Sequence, residues 1–256
     1  RKVLPLSELY LVRHAQASFG SSNYDQLSGL GVRQSEWLGA YFASLGIHFD
    51  RLICGDMERH RQTLFGICNS MNLTVDDRIE LCELNEYDFS DLILAFSNQF
   101  PENPRLLEVQ ADSSSKEKHY RLLRDVLSAW GRNEIAEVGE TWHVFSDRVF
   151  AARKQIQAIA KTGEKVLAIG SGGSNSTFMG QVLKVPTETI FDLNLQSKNT
   201  GINRYFYNNE TMLTYMIDKY NVPLENLPTH WHQLILHMKV YQDHLVLLTL
   251  PHLQFQ

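Results

Sequence analysis

The chain has 256 residues, of which 43% are hydrophobic, 11% aromatic and 21% charged. This composition supplies enough apolar material for a folded core and excludes a disordered, collagenous or coiled-coil protein. The 24 Lys and Arg residues against 29 Asp and Glu residues give a formal net charge of −5, so no basic field is present to hold a nucleic-acid backbone, and an anionic ligand must be bound by a few local cations.

The first elements predict a strand, a loop and a helix. The apolar run Leu9–Val12 stops abruptly at Arg13 and His14. A short continuous apolar strand is typical of a parallel sheet covered on both faces, so we expect the polar pair at the carboxyl end of a strand. After a Gly- and Ser-rich loop, Gln34–Leu45 carries apolar residues at helical spacing and stops at Gly46, which predicts a helix with a C-terminal glycine.

The next segment repeats this pattern. Phe49–Cys54 predicts a second strand, and Asp56 is expected to be the N-cap of a helix that runs to about Asn72. A third short strand is expected over Ile79–Leu84, and the polar stretch Asn85–Asp88 reads as a loop.

Residues 90–136 are helical in pattern, with breaks at prolines and serines, and are expected to be an inserted cap rather than a separate domain. The next predicted elements are a helix over Thr141–Ala160 and a buried strand over Val166–Ile169. A glycine-rich turn at Gly170–Ser174 then opens a helix that ends at Leu183, and two final strands are expected at Ile202–Tyr207 and Met212–Ile217. The alternation predicts a three-layer, doubly wound α/β fold with a mixed, mostly parallel sheet and helices on both faces.

The last part of the chain, residues 223–256, is expected to be an extension of the α/β domain formed by residues 1–222. It carries an apolar stripe at helical spacing after Pro228 and Thr229, which predicts a helix packed on the domain or on a second subunit, so that a homodimer could form through it. His230 and His232 suggest zinc, but no Cys or carboxylate stands nearby at ligand spacing, and we expect no metal.

The three cysteines are widely spaced and form no CxxC pair, which fits a reducing compartment better than a disulfide framework. The chain shows no apolar stretch long enough for a signal or a membrane span. We therefore expect a cytoplasmic protein that binds neither membrane nor nucleic acid.

Four groups of polar residues follow predicted strands, where ligands bind in such sheets: Arg13-His14, Asp56 with Arg59, Asn85-Glu86, and Ser171-Gly172-Gly173. Guanidinium groups bind phosphate bidentately, and the N-terminus of a helix adds free N–H donors. A neutral imidazole can attack phosphorus while a carboxyl group protonates the departing oxygen. The set therefore suits a phosphoryl group and needs no metal if the arginines neutralise its oxygens.

These residues also carry a family resemblance. The segment Leu11–Gly20 resembles the strand-end R-H-G signature of the histidine phosphatase superfamily, which includes phosphoglycerate mutases and small phosphatases. Arg59–Thr63 resembles its R-x-x-Q/H-T helix start, Leu84–Tyr87 its L-N-E segment and Gly139–Trp142 its G-E-S/T stretch. The motifs stand in the family's order over residues 9 to 217.

The resemblance implies a phosphatase that needs no cofactor and acts on a phosphorylated small molecule or a phosphoprotein. It implies His14 as the nucleophile that accepts the phosphoryl group and Glu86 as the proton donor to the leaving group. Water then hydrolyses the phosphohistidine. The implied phosphate ligands are Arg13, Arg59, Ser171 and Gly172, with Arg61 and Gln16 as further candidates.

Two positions depart from the family pattern. Ala15 replaces the glycine that follows the nucleophile, and Ser171 stands where the family has its second histidine. A hydroxyl cannot supply the charge of a histidinium, and loss of one preorganised donor costs roughly 10²–10³ in turnover. His60 or Arg61 could place a substitute cation nearby. The sequence thus leaves two hypotheses: a phosphomonoesterase with reduced activity, or a weakly active or inactive phosphate-binding or protein-interaction module; a mutase is less favoured because extra cations for a second phosphate are not evident.

Overall fold

A computed structural model describes residues 6–18, 25–159 and 161–215. The strands are β1 (Ser7–Arg13), β2 (Arg51–Cys54), β3 (Ile79–Glu80), β4 (Lys165–Gly170), β5 (Ile202–Tyr207) and β6 (Met212–Tyr215). The helices are α1 (Gly29–Ser44), α2 (Glu58–Ser70), α3 (Phe89–Gln99), α4 (Pro104–Ala111), α5 (Lys116–Gly131), α6 (Trp142–Ile159), α7 (Gly172–Leu183) and α8 (Thr187–Gln196), with a short 3-10 helix at Cys82–Leu84.

The six strands of these ranges form one sheet in the order β3-β2-β4-β1-β5-β6. Strands β3, β2, β4 and β1 run parallel to one another, whereas β5 runs antiparallel to both β1 and β6. The predicted mixed, mostly parallel sheet is confirmed. Strands β1 and β4, which precede the candidate phosphate-binding segments, lie side by side near its middle.

The sheet separates two hydrophobic cores because side chains alternate along each strand. On β1, Leu9 and Leu11 join the core that contains buried residues of α3 to α8. Tyr10 and Val12 point to the opposite face and pack with buried residues of α1 and α2. The predicted three layers, with helices on both faces, are confirmed.

The boundaries of α1 and α2 differ from the expectations. Helix α1 begins at Gly29, earlier than its apolar pattern indicates, because the side chain of Ser28 accepts the N–H of Gly31 at 3.0 Å. The prediction that Asp56 caps α2 was wrong, since Met57 is the N-cap and makes no side-chain bond. The carboxylate of Asp56 instead accepts the side-chain N–H of Asn85 at 2.5 Å.

Two other elements were mispredicted or missed. The third strand covers only Ile79–Glu80, because the chain then turns into the 3-10 helix and leaves the sheet. Helix α8 was not predicted at all. The region expected as a cap contains α3, α4 and α5, whose buried residues join one of the two cores, while the expected C-terminal extension and the last residues of the final strand lie outside the described residues. No helix in the described ranges has the length and the apolar character needed to cross a membrane.

Candidate active site

The parallel pairing of β1 and β4 sets the position of the central groups. Arg13 is the partner of Gly170 in the sheet register, and the N–H of His14 donates to the carbonyl of Gly170 at 2.9 Å. Ser171, the next residue, is the N-cap of α7. On the other side of β4, the N–H of Gly55 donates to the carbonyl of Ile169 at 3.0 Å. The ends of three neighbouring strands therefore meet at one edge of the sheet.

His14 is held with one ring nitrogen committed to the backbone. The side chain is 5% exposed, and its Nδ1 lies 2.7 Å from the carbonyl oxygen of Ala15. Because a carbonyl oxygen can only accept, Nδ1 carries the proton, and the lone pair of a neutral ring is then on Nε2. The N–H of Ala15 donates to the hydroxyl of Thr63, which fixes the backbone that orients the ring.

The environment of His14 favours the neutral ring. Its pKa is lowered to about 3, mainly by burial and also by the positive charges of Arg13 and, less strongly, Arg59, while the hydrogen bond to Ala15 acts in the opposite direction. A histidine with this pKa is uncharged at neutral pH, which is the form that acts as a nucleophile.

The two predicted phosphate-binding arginines occupy fixed positions close to His14. Arg59 is 5% exposed, and one of its guanidinium nitrogens lies 2.6 Å from a carboxylate oxygen of Asp25. The second carboxylate oxygen of Asp25 accepts the N–H of Glu58 at 2.8 Å, so this acid is fixed at the start of α2. Arg13 donates to the carbonyl oxygen of Ser197 at 2.5 Å.

Glu86 is bound at the N-terminus of α7. Both of its carboxylate oxygens lie 3.0 Å from the backbone nitrogen of Gly173. Burial raises the pKa of Glu86, and the N–H of Gly173 and the charges of Arg13 and Arg59 oppose that rise. The carboxyl group therefore keeps a proton to higher pH than an exposed glutamate, which suits a proton donor.

Glycines permit this close approach between α7 and its neighbours. A Cβ at Gly173 would lie 2.2 Å from a carboxylate oxygen of Glu86, and one at Gly172 would lie 3.2 Å from the guanidinium carbon of Arg13. The first contact is closer than a side chain allows and the second is tighter than most side chains make, so glycine at these positions lets the helix N-terminus reach the acid and the arginine.

Ser171 is fully buried, and its hydroxyl oxygen lies 2.7 Å from Nε2 of His60. The His60 ring centroid is 5.5 Å from that of His14. The turn around Ser171 is tied to the L-N-E segment, because the hydroxyl of Ser174 donates to the carbonyl of Leu84 at 2.7 Å.

Arg61 and Gln16, the two further candidates, are engaged elsewhere in the described structure. Arg61 makes two hydrogen bonds to Glu80, at 3.0 and 2.7 Å, and this contact is the main reason that the pKa of Glu80 is lowered to about 2. Gln16 is exposed, and its side-chain oxygen accepts the hydroxyl of Ser28. A phosphate-binding role for either residue stays a prediction.

The residues that hold the Glu86 loop in place could not be identified from the sequence. Arg148 of α6 donates to the backbone carbonyls of Glu83, Asn85 and Glu86 at 2.9 to 3.3 Å, and it binds Glu140 through two hydrogen bonds. It therefore holds the loop that carries the proton donor. The G-E-S/T resemblance pointed to Glu140, but nothing in the sequence connected that acid to Arg148.

Helix α8 and the segment that follows it also support the site. The side-chain N–H of Asn199 donates to the carbonyl of His14 at 3.0 Å, and that of Asn194 donates to the hydroxyl of Tyr87 at 3.1 Å. Because α8 itself was not predicted, the polar residues around it gave no sequence signal.

A cavity of about 430 Å³ lies against Glu86. Three acids, Asp88, Asp91 and Glu140, contribute to its wall, together with Tyr87, Leu92 and Gly139. Within the described ranges, no group of three or more His, Cys, Asp or Glu side chains is placed to hold a metal ion.

The six-stranded mixed sheet with helices on both faces has the phosphoglycerate mutase-like fold. The family model of the histidine phosphatase superfamily (branch 1) matches residues 9–218. The chain belongs to this superfamily of phosphatases and mutases.

Solved structures show the same fold at low sequence identity. The phosphoglycerate mutase from Bacillus anthracis str. Sterne is 17% identical, with a TM-score of 0.58 over 84% of this chain and 93% of that one. The alpha-ribazole phosphatase from Shigella flexneri is 16% identical, with a TM-score of 0.57 over 86% and 100% of the two chains. The phosphoserine phosphatase from Entamoeba histolytica is 13% identical, with a TM-score of 0.56 over 84% and 98%. No curated relative matches the chain at a significant level.

Proposed function

We propose that the protein is a metal-independent phosphomonoesterase that acts through a phosphohistidine on His14. The observation that carries the proposal is the state of this side chain: a buried, neutral ring whose Nδ1 proton is held by the carbonyl of Ala15, between two arginines. This arrangement leaves Nε2 as the nucleophile and places positive charge where the phosphoryl oxygens would lie.

In the first step, Nε2 of His14 forms a bond to phosphorus and the bond from phosphorus to the ester oxygen breaks. Arg13 and Arg59 bind the phosphoryl oxygens, and the N–H of Gly172 at the start of α7 adds a donor. The raised pKa of Glu86 supports its role as the acid that protonates the departing alcohol oxygen.

In the second step, the carboxylate of Glu86 removes a proton from water, and the resulting hydroxide attacks phosphorus. The bond between Nε2 and phosphorus breaks, inorganic phosphate leaves, and His14 and Glu86 regain their starting states. The same side chain thus acts as acid and then as base, as the two half-reactions require.

The cavity next to Glu86 favours hydrolysis over a mutase reaction. A mutase must bind a second phosphate group or carboxylate of its substrate, and the acids Asp88 and Asp91 in the cavity wall would repel such an anion, whereas Glu140 is paired with Arg148. We therefore propose that the substrate is a small phosphomonoester or a phosphoprotein whose leaving group carries no further negative charge next to the ester.

The proposal is tested by hydrolysis of p-nitrophenyl phosphate. Wild type is expected to release phosphate without added metal and in the presence of a chelator, while His14→Ala is expected to lose turnover and to keep its fold by circular dichroism. Equal rates in the two proteins would contradict the mechanism. Binding of phosphate by the wild type without turnover would instead identify a phosphate-binding module on this scaffold.

A further inference from the structure

The site contains a second buried histidine that the proposed mechanism does not use. His60, in the first turn of α2, is fully buried, and its ring centroid lies 5.5 Å from that of His14 with the planes inclined by 33°. A polar ring is seldom buried this completely without a partner. Within the described part of the chain its side chain makes one hydrogen bond, between Nε2 and the hydroxyl of Ser171 at 2.7 Å.

We propose that His60 and Ser171 act as a pair in which Ser171 donates its hydroxyl proton to the phosphoryl group on His14 and His60 positions and polarises that hydroxyl. The inference rests on the proposed function, and it assigns a role to a side chain outside the set of residues given there. In this pair Ser171 touches the substrate, whereas His60 is a positioning residue.

The hydrogen bonds available to His60 determine which of the two side chains donates to the other. Its Nδ1 has no hydrogen-bond partner within the described part of the chain, so a proton on Nδ1 would remain unpaired in the interior. A proton on Nε2 is instead donated to the hydroxyl oxygen of Ser171. Ser171 then accepts from His60 and keeps its own proton for another acceptor.

The position of Ser171 makes an oxygen of a bound phosphoryl group the acceptor for this proton. It follows β4 directly, beside the end of β1 that carries His14, and it precedes Gly172 and Gly173, which approach Arg13 and Glu86. A phosphoryl group bound by these residues would lie at the start of α7, where the hydroxyl can reach one of its oxygens. A donor polarised by a second group is stronger than an isolated one.

The local packing is adapted to the buried ring. A Cβ at Gly55 would lie 2.2 Å from Nδ1 of His60 and 2.5 Å from the side-chain oxygen of Asn85. Glycine at the end of β2 therefore makes room for the histidine. The ring on α2 therefore lies against the backbone that follows β2.

A double-mutant cycle tests the pair by hydrolysis of p-nitrophenyl phosphate. The proteins are wild type, His60→Leu, Ser171→Ala and the double variant, with His143→Leu as a matched control, since the His143 side chain is 86% exposed. Each single change is expected to lower kcat by about 10²-fold, as loss of one preorganised donor does. The double variant is expected to be no more than about 3-fold slower than the worse single variant, because both changes remove one interaction.

Two further readouts separate a role in positioning from a loss of fold. We expect KM to change less than about 3-fold, while inhibition by vanadate, which resembles the transition state, weakens in parallel with kcat. His60→Gln, whose amide N–H can replace the Nε2 donor at similar volume, is expected to retain more kcat than His60→Leu. Losses that multiply in the cycle, or a wild-type kcat in His60→Leu, would overturn the pair if His14→Ala is inactive. Turnover retained by His14→Ala would overturn the proposed function as well.

Discussion

The carboxylate of Glu86 and the backbone N–H of Gly173 form a two-pronged contact, with both oxygens 3.0 Å from the nitrogen. This contact ties the proton donor to the same helix N-terminus that we propose as part of the phosphate site. It has two effects on the acid: the N–H group fixes the position of the carboxyl, and it partly offsets the rise in pKa that burial causes. The proposed function therefore depends on the close spacing between α7 and the loop that carries Glu86.

Gly173→Ala tests whether activity depends on this spacing. The added Cβ would lie 2.2 Å from a carboxylate oxygen of Glu86 and 2.5 Å from the Tyr87 ring, so the acid must move. We expect kcat/KM for p-nitrophenyl phosphate to fall by about 10²-fold, the loss that a displacement of about 1 Å produces. Gly29→Ala is the matched control, because a Cβ there meets nothing within 4 Å; its activity should equal that of wild type. Equal activity of the two variants would show that the contact is unimportant.

The dependence of activity on pH follows from the opposite pKa shifts of the two catalytic groups. The lowered pKa of His14, about 3, keeps the ring neutral at any pH above about 4, so His14 adds no acid limb near neutrality. Glu86 must be protonated to donate, and its raised pKa keeps the proton to higher pH. We therefore expect kcat/KM to be high at acidic pH and to decrease as the pH rises through the pKa of Glu86.

Glu86→Gln separates this limb from the second ionisation of the substrate phosphate, which falls near pH 6. The ratio of wild-type to Glu86→Gln activity should be large at low pH and should fall as the pH rises, because only the wild-type protein loses its acid. A ratio that stays constant from about pH 5 to 9 would exclude Glu86 as the proton donor.

Arg148 is expected to act on activity through the loop that it holds. Arg148→Met removes the donors of the three carbonyls and leaves Glu140 without this partner, so we expect the free energy of unfolding to fall by about 2–4 kcal/mol. We also expect kcat to fall on the order of 10-fold with little change in KM, because Arg13 and Arg59 remain in place.

Urea denaturation and steady-state kinetics measure both effects of Arg148→Met. Arg121→Met is a suitable control, since Arg121 is exposed and, among the residues that the structure describes, pairs with Glu117 on the same helix surface; its unfolding free energy should stay within about 0.5 kcal/mol of wild type. If Arg148→Met lowered stability and left kcat unchanged, the contacts of Arg148 with this loop would stabilise the fold without contributing to catalysis.

Much of the fold could be predicted because the strands that form its centre are apolar on both faces. The runs that became β1 and β4 are short and continuous, and each ends in polar residues, so their burial and the edge they reach follow from the sequence. Helix α8 could not be found in the same way. Its apolar residues at positions 190, 191, 193 and 195 mix helical and strand spacing, and its burial depends on a core built by distant helices.

In the candidate site, too, the residues in local motifs were predictable, whereas their partners from distant parts of the chain were not. His14, Arg13 and Glu86 stand in short motifs next to strand ends, so both their type and their approximate position were predictable. The partners of these residues were not: Asp25 holds Arg59, and His60 meets Ser171 across 111 positions of sequence. Such contacts follow from the pairing of β1, β2 and β4, which no local pattern specifies.

The central claim is that a phosphoryl group is transferred to Nε2 of His14. The direct measurement is rapid quench of the wild-type protein with a phosphomonoester carrying labelled phosphorus, followed by peptide mapping. We predict label on the peptide that contains His14, stable in alkali and lost in acid as expected of a phosphoramidate, and absent from His14→Ala. Turnover by the wild-type protein with label on another residue, or with no labelled intermediate under conditions where chemistry limits the rate, would contradict the account.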